Sequence, residues 1–70
     1  MTEILAPITG NVRQVLAAAG DSVAAGDVVA IIESMKLEIP VEAETAGTVQ
    51  EVRVAEGDAI AEDDVMFVLD

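Results

Sequence analysis

Apolar residues along this chain come in short runs of about strand length, and each run stops at small, glycine-containing or acidic residues. Val28 to Ile32 and Val65 to Leu69 are purely apolar and read as buried strands. Asn11 to Leu16 and Thr48 to Val54 mix β-branched with polar residues, the alternation being clearest over Thr48–Val54, and read as strands with one solvated face. Turns are marked by Gly20-Asp21, Gly57-Asp58, Ala25-Gly26-Asp27 and Glu62-Asp63-Asp64. Asp63 stands where the first half has Gly26, and aspartate tolerates the left-handed backbone better than most side chains. Pro7 and Pro40 push Ala6 and Ile39 towards extended geometry, which suits strand ends. A helix competes only over Val15–Ala19, where Gly20 stops it almost at once.

The pattern repeats. A shift of 37 places lays residues 2–33 on residues 39–70 with Ala6/Ala43, Gly10/Gly47, Val12/Val49, Val15/Val52, Ala18/Ala55, Gly20/Gly57, Asp21/Asp58, Ala24/Ala61, Asp27/Asp64 and Val28/Val65 identical. Two copies are too few for a solenoid, so the halves are expected to pack face to face. The predicted fold is all-β: two small antiparallel sheets related by a pseudo-twofold axis, around Val, Ile, Leu, Ala and the single Phe67. So small a core is expected to supply roughly 3–5 kcal/mol. The starting Met and the completed double repeat suggest one whole domain over residues 1–70.

Composition then removes most functions. The 70 residues contain no Cys and no His, so there is no thiolate nucleophile, disulfide or thiolate metal ligand, and no imidazole base. With 14 acidic and 3 basic side chains the net charge is −11, which repels nucleic acid and anionic lipid. No apolar run approaches the ~20 residues of a spanning helix, and an acid stands where a signal peptide would be basic. These features read as an acidic, soluble, cytoplasmic domain. The acid run Glu62-Asp63-Asp64 lacks the alternate oxygen spacing of a calcium loop and reads as a solvated turn.

One chemical handle is left. Ser34-Met35-Lys36-Leu37-Glu38 joins the two copies, and Lys36 is the only lysine in the chain. Symmetry makes residues 34–38 a hairpin between the two sheets, with a primary amine near its tip. Met35 and Leu37 are apolar where a solvated turn is normally polar, so either a partner reads them or they cover a sheet edge. Glu33 and Glu38 frame the loop with negative charge.

The stretch Glu33-Ser34-Met35-Lys36-Leu37-Glu38-Ile39-Pro40 resembles the attachment motif of biotinyl/lipoyl carrier domains, in their biotinyl branch. The segments Ala43, Gly47-Thr48-Val49 and Gly57-Asp58-Ala59-Ile60 resemble the family's later stretches, so the likeness spans essentially the whole chain. It is most similar to the small stand-alone members, and it implies a flattened barrel of two four-stranded sheets. The resemblance implies that Lys36 carries biotin, with Glu33, Met35 and Leu37 read by the ligase. Leu37 departs from the branch's usual Met, a swap of similar volume and polarity. Lipoyl carriers have an acidic or small residue before the lysine and Ala after it, and Met35 and Leu37 fit neither.

What the resemblance implies chemically is a substrate rather than a catalyst. A biotin protein ligase would form an amide at the lysine nitrogen through biotinyl-adenylate. An ammonium in water is neutral in only about one molecule in a thousand at pH 7, so the ligase must supply the base that this chain lacks. Biotin carboxylase and carboxyltransferase subunits would then load and unload the tethered group. A lipoyl carrier of a 2-oxoacid dehydrogenase complex and an unmodified interaction module are the alternatives.

Overall fold

The computed structural model describes residues 2–70. Eight strands follow in order: β1 (Thr2–Leu5), β2 (Gly10–Val15), β3 (Ser22–Val23), β4 (Val28–Ser34), β5 (Leu37–Glu42), β6 (Gly47–Val52), β7 (Ala59–Ile60) and β8 (Val65–Leu69). They form two four-stranded sheets, ordered β1-β8-β6-β3 and β5-β4-β2-β7, with every pairing antiparallel. The 37-residue offset carries β2 onto β6, β3 onto β7 and β4 onto β8, so exchanging each strand for its mate turns one sheet order into the other.

The halves do not, however, each form a sheet. The first sheet takes β1 and β3 from the first copy and β6 and β8 from the second, and the other sheet takes the rest. The copies are interlaced rather than packed face to face. A 37-residue unit alone would leave strand edges without partners, and exchanging strands pairs them across the repeat. The two purely apolar runs, β4 and β8, become central strands with a neighbour on each side. Ile32, Val29, Met66, Phe67 and Leu69 on these strands lie at the centre of the core, with Val12 and Val49 from their neighbours.

Four turns lock the interlacing, and all share one sequence plan: Ala18-Ala19-Gly20-Asp21, Ala24-Ala25-Gly26-Asp27, Ala55-Glu56-Gly57-Asp58 and Ala61-Glu62-Asp63-Asp64. In each, the aspartate Oδ2 accepts a hydrogen bond from the alanine N–H at 2.8 to 2.9 Å. The aspartate N–H closes the turn onto the alanine carbonyl at 3.0 to 3.1 Å. The third residue has positive φ, 95° at Gly20, 91° at Gly26, 93° at Gly57 and 73° at Asp63, as a type II turn requires. Each turn then clips one residue of the opposite copy: those closed by Asp21, Asp27, Asp58 and Asp64 hold Val49, Ala43, Val12 and Ala6 through both backbone N–H and carbonyl.

Two details depart from the strand pattern in the sequence. Val12 and Val15 are both turned inward although three residues apart, because β2 carries a bulge between Val12 and Gln14, and β6 repeats it between Val49 and Glu51. Pro40 lies inside β5 rather than at a strand end, which is tolerated because β5 is an edge strand. Among the described residues there is no helix, so none is long and apolar enough to cross a membrane.

Candidate functional site

The connection between the copies is tighter than its five residues suggest. β4 runs through Ser34 and β5 begins at Leu37, leaving Met35 and Lys36 as a two-residue loop. Ser34 faces Leu37, Glu33 faces Glu38 and Ile32 faces Ile39 down the ladder. The hairpin therefore joins neighbours in one sheet and does not bridge the two sheets. Because β4 is a central strand and Ile32 is fully buried, the arm that leads to the tip is rooted in the core.

At the tip the backbone is left-handed twice, with φ of 53° at Met35 and 68° at Lys36. Positive φ at both central residues is the geometry of a type I′ turn, whose twist matches that of the flanking strands. Asn-Gly is the usual filling, and a side-chain-bearing residue there costs about 1–2 kcal/mol. Met-Lys gives no such signal, so the turn type was hidden in the sequence.

The side chains at the tip are turned to solvent. Met35 is 91% exposed and Leu37 65%, so neither covers a sheet edge. Lys36 is exposed and forms no ion pair among the described residues. Glu33 and Glu38 are exposed on facing positions of the two arms. Arg13 on β2 reaches across β4, its Nε donating to Oε2 of Glu38. This ion pair had no sequence signal, since Arg13 and Glu38 meet only once β2, β4 and β5 lie side by side.

Gly10 keeps the arms close to the sheet. A Cβ at this position would stand 2.5 Å from the Glu33 carbonyl oxygen and 2.8 Å from Ile32 Cγ2, so β2 could not lie as it does beside the hairpin's rising arm. Among the described residues, the main concave features of the surface lie along segments other than the tip. The geometry therefore presents a primary amine outward on a rigid stem, suited to being acylated by another protein.

Comparison with known proteins bears on what such a stem is for. Residues 2–69 match the family described as "Biotin-requiring enzyme". The chain is 43% identical over 44 residues to the biotinylated protein TB7.3 homolog of Mycobacterium leprae, a match that covers 63% of this chain and 62% of that protein. It is 46% identical over 41 residues to biotinylated protein TB7.3 of Mycobacterium tuberculosis, covering 59% of this chain and 58% of the relative. The chain thus matches about three fifths of these curated relatives' length. The urea carboxylase of Kluyveromyces lactis superposes with a TM-score of 0.90 at 37% identity, over 97% of this chain and 6% of the carboxylase. A single-chain, multi-domain long-chain acyl-CoA carboxylase superposes at 0.88 and 26% identity, over 94% of this chain and 7% of that enzyme. An eight-stranded interlaced barrel with an exposed hairpin lysine, matched by the family over nearly its whole length, places this chain in the biotinyl/lipoyl attachment family of biotin-requiring enzymes.

Proposed function

We propose that residues 1–70 are one non-catalytic biotin carrier domain, in which Lys36 is biotinylated by a biotin protein ligase. The domain then serves biotin carboxylase and carboxyltransferase partners in the cytoplasm. The observation that carries this reading is the placement of the chain's only lysine: exposed, without an ion partner among the described residues, on a two-residue turn of left-handed backbone. An accessible amine is the donor an amide-linked group requires, so the residues present fit the cofactor. The amide would form as Nζ attacks the carboxyl carbon of biotinyl-adenylate, breaking the acyl–phosphate bond to release AMP, with the amine's proton leaving to a base of the ligase. When bound, biotin supplies a ureido nitrogen that accepts and releases a carboxyl group.

The chain's own contribution is positional. A two-residue loop on a core-rooted strand restricts the volume that a tethered group searches, which raises its effective concentration at each partner. Met35 and Leu37 offer apolar contacts and Glu33 a charged one to the ligase, at no cost to the core. The similarity to segments of two carboxylases supports carboxylase partners, although the match covers 6–7% of those chains.

Intact mass after co-expression with a biotin protein ligase tests the proposal. The expected gain is one biotinyl group, absent from Lys36→Arg. A lipoyl gain under a lipoylating enzyme with none under the biotin ligase would replace biotin by lipoate. No gain under excess ligase would leave an unmodified interaction module.

A further inference from the structure

The two copies differ where the bulge meets the hairpin. In β2 the pairing runs Val12 to Ile32 and Gln14 to Ile31, so Arg13 is the extra, bulged residue. In β6 it runs Val49 to Leu69 and Glu51 to Val68, so the bulged residue is Gln50. Bulges re-aim side chains beside functional sites. Here the bulged residue is cationic only in the copy whose sheet carries the hairpin, and it ends on Glu38. Asn11, Glu33 and Glu38 stand in register across β2, β4 and β5, so all three share the outward face on which Arg13 reaches Glu38.

Two carboxylates directly opposite on neighbouring strands repel, and Arg13 converts that pair into one ion pair and one carboxylate, Glu33, with no ion partner among the described residues. Arg13 and Glu38 are each a little over half exposed, so their pairing adds little to stability. Its larger consequence is electrostatic. Glu33, Lys36, Glu38 and Arg13 sum to zero, whereas without Arg13 the same patch is net negative in a chain already at −11. A partner that approaches this chain productively has a basic face, and exposed charges near a contact chiefly set encounter and register.

We propose that Arg13 tunes the charge of the docking face: by neutralising Glu38 it leaves Glu33 as the carboxylate at the base of the tip that a basic group of the ligase meets, and so moderates the attraction between the two proteins. The inference rests on the reading in which a ligase acylates Lys36. Arg13 is paired with Glu38, so it acts through the charge it cancels.

The test uses two variants that break the same ion pair from opposite sides. Arg13→Gln bares a second carboxylate and is expected to lower the ligase KM about threefold at low salt. Glu38→Gln bares a cation and is expected to raise KM about threefold. In both, kcat is unchanged and the differences close as salt screens them. Arg13→Lys keeps the parental KM. A role confined to holding the hairpin would move both variants in the same direction and lower kcat, and that result, or equal KM throughout, overturns the proposal. Absence of ligation in the parent as well overturns the carrier reading and this inference with it, whereas ligation at equal KM overturns the role of Arg13 alone.

Discussion

The four Ala-X-X-Asp turns and the Met35-Lys36 tip meet the same backbone demand in opposite ways. Each of the four needs one left-handed residue, fills it with Gly or Asp, and ties the turn with an aspartate carboxylate and a backbone hydrogen bond. The tip needs two, fills them with a methionine and a lysine, and among the described residues has no side-chain hydrogen bond to support them. The first kind of turn is optimised for holding the copies together. The second keeps its strain, and strain of this kind concentrates where a side chain is needed for something other than the fold.

Substitutions can break that contrast or sharpen it. Gly57→Ala is the largest expected effect: a Cβ there meets nothing within 4 Å, so the loss of about 1–2 kcal/mol is purely the cost of left-handed backbone. Chemical denaturation measures it, and an unchanged midpoint would show that this turn can rearrange. Asp58→Ala removes the carboxylate from the Ala55 N–H and is expected to cost about 1 kcal/mol by the same assay. Met35→Gly runs the other way. It relieves one left-handed side chain and should stabilise the fold by about 1 kcal/mol while slowing ligation, because the apolar contact proposed for the ligase is lost. A variant both less stable and equally well ligated would refute the idea that the tip trades stability for recognition.

Asp63→Gly carries the comparison into the repeat itself. The position has φ of 73° and its mate is Gly26, so glycine should gain about 0.5 kcal/mol, less than at Met35 because aspartate tolerates the region. The smallest effect concerns charge. With −11 to contain, the melting temperature should rise by a few degrees between low and moderate salt, and a fall would show that self-repulsion is not a limiting term.

How far the sequence spoke depended on the range of the interaction. The apolar run Val65–Leu69 coincides with β8, and the Asp63 turn has the left-handed backbone its alignment with Gly26 implied. Both are local features. Which strand lies beside which was not legible, since Val12 and Val49 look alike whether the copies stack or interlace. β3 and β7 are two residues each, too short for any periodicity to register. The aspartates of the turns stood six residues apart in each copy, and that finer repeat was the available clue to the four clips. Lys36 could be singled out by its uniqueness and central position. Its turn type could not, because Met-Lys is chosen against backbone preference, and neither could Arg13, whose partner lies two strands away.

The position of the amine on the turn, rather than its mere presence, is what the account depends on. The double variant Met35→Lys, Lys36→Met keeps the composition, mass and charge of the chain and moves the amine by one residue. Incubated with biotin protein ligase, biotin and ATP, the parent is predicted to gain one biotinyl group, with the transposed chain, at equal melting temperature, gaining none in the same time. Equal gain in both would contradict a site defined by the hairpin's geometry.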